Sequence, residues 1–524
     1  MSASSIVVSA ARRPESRLEV AGSIDRIGAA EIELRGATHA AELLNTVPGV
    51  MVQRGSGQES LTAIRSPVLS GPGACGAFLV LEDGMPIRPV GTCNVNELFE
   101  VNTEQAGAIE VIRGPAATSY GANAVHGLVN VLTPAVAALD PWRLALEAGP
   151  DDFARAAFAV AQPELGLGAY GVVTHDAGFR THSTSDEDKL NLLSDRPLRG
   201  GELRLRIAAT SLRQETAGFI RGLDAYRDPL LRRSNANPEA FRDAWSARAS
   251  AGWTRSDCAG CSDRWQLALR RSGMEFLQHF LLGKPLERNS QGSIAWSGAR
   301  ERSLGAAGRW RLGADVEFAD ATLLEIQDGP TLEGSAAARA IRPSGRHYDY
   351  DVRALTIGVH AGFEWPLAAR VRLAGALRAD RTQYRYDNRM LDGNTAEDGT
   401  PCSLGGCLYS RPADRSDRFD NLSPRLELAW APGERQRLYF AATRGFRPPE
   451  STELYRLQRQ QRLAELDSER VTSTEAGWRG SAARLAWSLA LFDMHKRHVI
   501  LRDANGFNVS DGRTGHRGVE YELA

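Results

Sequence analysis

The chain has 524 residues, with 63 Lys+Arg against 64 Asp+Glu, and a net charge of −1 removes the electrostatic case for nucleic acid. Hydrophobic residues make up 42% with no apolar run near about 18 residues, which rules out a helical membrane protein. A transmembrane strand needs only about ten alternating residues, so a β-barrel in lipid stays open. Only Lys189, Lys284 and Lys496 among the basic residues are lysines, and the 60 arginines read as the mark of a GC-rich genome. The 51 glycines suit a turn-rich β protein, whereas an aromatic share of 7% is low for a barrel with aromatic girdles.

In chain order, residues 1–13 lack a basic stretch followed by an apolar core, so a secretory signal is expected to have been removed or the start to be misplaced. Residues 1 to about 136 read as a compact α/β unit. A short amphipathic helix is predicted at 39–46, with Ala40, Leu43 and Leu44 on one face and Pro48-Gly49 as its stop. Strands are predicted at 50–54, 61–65, 77–82 and 108–113, with Asp83-Gly84 turning a hairpin. The sequence at 71–76 fits GxGxxG, but a strand rather than a helix follows, so no dinucleotide site is expected.

From about residue 140 one strand follows another in period two. Within 309–320 the apolar set is Trp310, Leu312, Ala314, Val316 and Phe318, between Arg309, Arg311, Asp315 and Glu317. The same division recurs at 202–207, 264–270, 370–380, 425–430 and 484–491, giving about fifteen or sixteen strands. The charged face suits a wet lumen, and polar excursions at 183–201 and roughly 384–420 suit extracellular loops. Cys75 with Cys93, Cys258 with Cys261, and Cys402 with Cys407 form three local pairs, read as disulfides in an oxidising compartment. For Cys258 and Cys261 the rival is half a zinc site or a redox dithiol, but there is no second CxxC and no nearby His. GxSxG, HExxH and phosphate-loop patterns are lacking, so no catalytic residue, cofactor or metal site is expected.

Residues 109–131, Ile-Glu-Val-Ile-Arg-Gly-Pro-Ala-Ala-Thr-Ser-Tyr-Gly-Ala-Asn-Ala-Val-His-Gly-Leu-Val-Asn-Val, closely resemble the end of the plug domain of TonB-dependent outer-membrane receptors. Residues 41–50 resemble the helix that opens the plug, and 81–86 its Asp-Gly hairpin. Downstream, Gly445-Phe446-Arg447-Pro448-Pro449-Glu450 with Glu453-Leu454-Tyr455 is similar to a barrel signature of the family, as are 421–425 and 466–469 with Thr474-Glu475. Ser66 stands where the family usually has Gly after the arginine, and no terminal aromatic closes the chain at Ala524. The family barrel has about 22 strands, so about 16 here leads us to expect a chain truncated at its C-terminus.

The resemblance implies a mainly β fold, an antiparallel transmembrane barrel occluded by a small α/β plug. Its parts are a TonB-box-like segment at 1–12, a plug at 13–136 and an incomplete barrel at 137–524. Ser5, Ile6, Val7, Val8, Ser9 and Ala10 resemble the TonB box, an uncharged, β-branched segment suited to strand addition onto TonB. Arg65 and Arg113 match plug arginines that the family pairs with barrel carboxylates, with Glu475 the candidate partner and the second partner unplaced. Ligand contacts are expected at plug apices, from Arg54 and Gln58 on the first and Thr92 and Asn94 on the second, which a Cys75–Cys93 bond would brace. Arg54 could meet an anionic chelate. The expected activity is non-enzymatic: active import across the Gram-negative outer membrane, energised by TonB, of a scarce small molecule, foremost a ferric siderophore. Cobalamin, haem or carbohydrate uptake, or a surface-binding barrel without transport, are the alternatives.

Overall fold

The structure is a computed structural model that describes residues 7–8, 15–68, 78–92, 96–482 and 485–524. The predicted helix forms at Ala40–Leu44, where Ala40, Ala41, Leu43 and Leu44 are all buried and the neutral His39 ring caps the N-terminus, its Nδ1 accepting from Ala41 N at 3.0 Å. After Gly49, the strands Val50–Arg54 and Ser60–Ile64 pair as a hairpin. A five-stranded sheet carries the rest of the unit, in the order Ser23–Gly28, Ala108–Arg113, Gly127–Leu132, Phe78–Glu82 and Met85–Pro86. Phe78–Glu82 runs parallel to Gly127–Leu132, and the other neighbours are antiparallel. Asp83 and Gly84 both take positive φ (50° and 81°), which is what a two-residue hairpin turn between right-twisted strands requires. Leu43, Leu44, Ile64, Val80, Ile109 and Val129 meet in one core between the helix and the sheet.

Around this unit runs a single sheet of sixteen antiparallel strands, each paired with the next in sequence from Trp142–Ala148 to Asn508–Leu523. The first and last of these strands form no ladder with each other among the described residues. The sheet is inside-out relative to a water-soluble protein. In the strand Arg309–Gln327, Leu312 and Phe318 are 52% and 56% exposed. Their neighbours Arg309, Asp315 and Glu317 turn inward and pair with Glu364, Arg378 and Arg270. Leu267, Leu269, Ile294, Leu426 and Leu428 extend the same outward apolar belt. A belt of that size is untenable in water and matches the lipid-facing band of a barrel. The aromatic shortfall is solved by concentration. Trp142, Trp265, Trp365, Trp430 and Trp478 are exposed near strand ends on one rim, so one girdle is built from few aromatic residues.

That rim carries the short turns, such as Arg199-Gly200 and 369–370, while the long connections 216–240, 328–344, 389–414 and 448–468 lie at the other. The predicted loop at 183–201 is instead the strand Ser185–Leu198. Ser185, Glu187, Lys189 and Asn191 point into the interior, with Leu190 and Leu192 outward, and a strand with a polar inner face reads as a loop in sequence. The second predicted excursion narrows to 389–414, where Cys402 and Cys407 are joined. Cys258 and Cys261 are joined in a short turn on the tryptophan rim. Cys75 and Cys93 lie outside the described residues. Placing a charge in the belt with Leu267→Arg should cost about 2–4 kcal/mol of folding stability in lipid vesicles, measured by urea unfolding.

Candidate functional site

Arg65 lies just past the strand Ser60–Ile64 at φ 50°, a left-handed conformation uncommon for a residue with a side chain, and its N–H donates to Gly49 O at 2.9 Å. The turn aims a fully buried guanidinium across the seam between plug and wall. Its Nη1 donates to Glu475 Oε2 at 2.6 Å, its Nε to Glu520 Oε1 at 2.8 Å and its Nη2 to Glu520 Oε2 at 2.6 Å. The Phe492 ring lies 4.1 Å beneath it. Burial opposes the charge, yet Glu520 and Glu475 hold the Arg65 guanidinium above its ordinary pKa. Arg113, at the end of Ala108–Arg113, donates to the same Glu520, to Pro48 O at 2.9 Å, and pairs with Asp25. Glu475 also accepts from Ser23 Oγ at 2.9 Å and Tyr439 Oη at 2.7 Å. Gly49 is required for this approach: a Cβ there would stand 2.3 Å from Glu520 Oε1.

Arg65, Arg113 and Glu475 thus meet in one cluster, and Glu520 is the wall carboxylate that sequence reasoning left unplaced. Its signal was available. In Asn508–Leu523 the apolar Val519, Tyr521 and Leu523 face out, so the alternating Glu520 and Glu522 must face the plug.

At the long-loop rim a cavity of about 1280 Å³ opens above the first plug apex, lined by Arg54, Ser56, Phe179, Arg221, Phe219 and Phe280 among others. Arg54 Nε donates to Gly57 O at 3.4 Å and the side chain is 44% exposed, with Glu42 at 3.8 Å. Gln58 is held aside: its N–H donates to Gln214 Oε1 at 2.9 Å and its Nε2 to Thr38 O at 3.3 Å. Thr92 is apart from both, its Oγ1 donating to Pro89 O at 2.9 Å, beside Gly91 whose carbonyl accepts from Ser451 N at 3.0 Å. Asn94 lies outside the described residues, as do Ser5, Ile6, Ser9 and Ala10. Val7–Val8 pairs antiparallel with Glu15–Ser16.

The chain matches two family models, TonB dependent receptor-like, beta-barrel over residues 170–524 and TonB-dependent Receptor Plug Domain over residues 16–128. Among curated proteins it is 35% identical over 132 residues to the vitamin B12 transporter BtuB of Vibrio vulnificus, covering 24% of this chain and 20% of that relative. The siderophore receptor PiuA of Acinetobacter baumannii has a similar fold, with a TM-score of 0.74 at 13% identity over 98% of this chain and 78% of that one. The ferric yersiniabactin uptake receptor FyuA of Yersinia pestis gives 0.70 at 16% identity over 96% and 76%. At such identities these solved structures speak for the fold alone. Within the seam, Glu520→Ala leaves two buried arginines sharing too little negative charge. It should lower plug docking by about 3–5 kcal/mol, read as amide exchange at least about a hundredfold faster in Ala108–Arg113.

Proposed function

The chain belongs to the TonB-dependent receptor family, and on that premise we propose that it is an outer-membrane active transporter, energised by TonB, that imports a ferric siderophore. Residues 1–12 are the TonB-engaging segment, 13–136 the plug and 137–524 the barrel wall. The observation that carries the proposal is the seam itself: Arg65 and Arg113 of the plug are buried on Glu475 and Glu520 of the wall. A protein that only displayed a surface would gain nothing from a domain held inside its barrel by buried charges. Such pairs contribute little net stability but are costly to break one partner at a time. They suit a closure that stays shut until it is pulled.

The outer membrane holds neither ATP nor an ion gradient, so the work of import comes from the inner membrane through TonB. Ser5, Ile6, Val7, Val8, Ser9 and Ala10 receive it by strand addition, a reading supported by Val7–Val8, which already pairs as a strand with Glu15–Ser16. The cavity above the first apex receives the ligand. Arg54, Arg180, Arg221 and Lys284 outnumber the lining carboxylates Glu59, Asp176 and Glu333, and Phe179, Phe219 and Phe280 supply apolar surface, a combination suited to an anionic metal chelate. Of the other apical residues, Gln58 and Thr92 are turned away from this cavity, so the proposed contact of the first apex rests on Arg54. Cobalamin is the second reading, favoured by the 35% identity to a vitamin B12 transporter over 132 residues.

Val7→Pro removes a main-chain donor from the TonB segment. Uptake of the radiolabelled iron chelate by whole cells should fall to background while chelate binding to those cells stays unchanged. Loss of binding as well would contradict the assignment of the segment.

A further inference from the structure

Between the TonB segment and the latch, residues 17–22 cross the tryptophan rim, and here the wall addresses the plug's main chain. Arg425 Nη2 donates to Ala21 O at 2.8 Å and Arg479 Nη2 to Gly22 O at 2.5 Å. Arg479 also donates to Arg17 O, and Arg372 to Glu19 O. Arg437 pairs with the Glu19 carboxylate. The wall arginines are themselves held in place: Arg372 by Glu364 at 3.0 Å, Arg425 by Glu427, and Arg479 over the Tyr439 ring at 5.1 Å. The forked guanidinium serves this arrangement, because one N–H can bind a wall carboxylate while another reaches a carbonyl.

We infer that Arg372, Arg425, Arg437 and Arg479 form a clasp on residues 17–22 that lies ahead of the Arg65–Arg113 latch on the pulled chain and opens before it, the two being joined through Arg17–Asp25 and through Tyr439, which carries Arg479 and donates to Glu475. The inference rests on the proposed pull from the N-terminal side. Along the main chain, load applied before residue 15 reaches Arg17, Glu19, Ala21 and Gly22 in turn before Ser23 and Asp25, which touch Glu475 and Arg113, while the Arg17 side chain also donates to Asp25 Oδ1 at 2.7 Å. The next element, Ser23–Gly28, is an edge strand of the plug sheet whose first pair is Ser23 with Arg113, so continued traction unzips it from the latch end. The clasp contacts are mostly to neutral carbonyls and break singly, whereas the latch shares Glu520 between two arginines and fails as a unit. The four arginines are positioning residues: they set the path and order of release without touching the ligand.

Single-molecule pulling on the full chain in lipid, from a handle at the N-terminus, tests this without TonB. The wild type should give an early rupture that releases about the clasp segment, followed by a later, stronger one. Arg425→Leu with Arg479→Leu should lower the early force at least about twofold and leave the later force unchanged, while Glu520→Ala does the reverse. Glu19→Gln, which alters no wall residue, should give a smaller fall in the early event alone and guards against misfolding of the double variant. A single event in the wild type, or equal weakening of both events by the clasp variants, overturns the inference. Failure of the TonB reading would show elsewhere, as normal uptake by Val7→Pro cells.

Discussion

Two buried guanidinium groups of the plug that share one carboxylate of the barrel wall are the constraint on which this architecture turns. Removing an ion from water costs several kcal/mol even after relaxation, and the cost is met only when every partner is in place. Arg65, Arg113, Glu475, Glu520 and Asp25 meet that condition together or not at all, because Glu520 is shared by both arginines and Asp25 belongs to the plug edge strand. An arrangement of this kind favours two states, seated and released, over a continuum. Gly49, with no side chain, and Arg65, at positive φ, are the local backbone concessions that let the charges meet.

The rest of the polarity follows from the same choice of solvent. Leucine, isoleucine and tryptophan face outward where lipid can receive them, so the inner face of every strand is free to be polar. The plug is therefore docked by charge and hydrogen bonding beside apolar contacts such as Phe99 against Leu212 and Met274. Arg155 donates to Ala37 O, Arg248 pairs with Glu82 and Arg270 donates to Pro86 O, continuing around the wall what the clasp does at the rim. The arginine excess read from composition as a genomic signature thus has a structural use. Lysine could supply the charge, but not the two or more directed donors that reach a wall partner and a plug carbonyl together.

The parts of the fold legible in sequence were those with local causes. The helix at Ala40–Leu44 follows from its spacing and its Pro48-Gly49 stop, the Asp83-Gly84 turn from its residues, and the outer face of Arg309–Gln327 from simple alternation. The strand Ser185–Leu198 was missed because lumenal Glu187, Lys189 and Asn191 resemble loop composition, and their role is set by the plug opposite, which a local window cannot see. Glu475 was found through its motif. Glu520 lay in a plain alternating strand whose inward face becomes apparent only once the outward Val519, Tyr521 and Leu523 are known to meet lipid. The clasp was invisible for a deeper reason: it binds carbonyl groups, and every sequence has those.

Whether these buried charges keep the plug seated is read most directly from the permeability of the outer membrane to a bulky antibiotic such as vancomycin in cells carrying Arg65→Leu together with Arg113→Leu. These cells should become sensitive while cells with the unaltered protein, at equal outer-membrane abundance, stay resistant. Equal resistance of the two strains would contradict the claim that these buried charges keep the plug seated in the barrel.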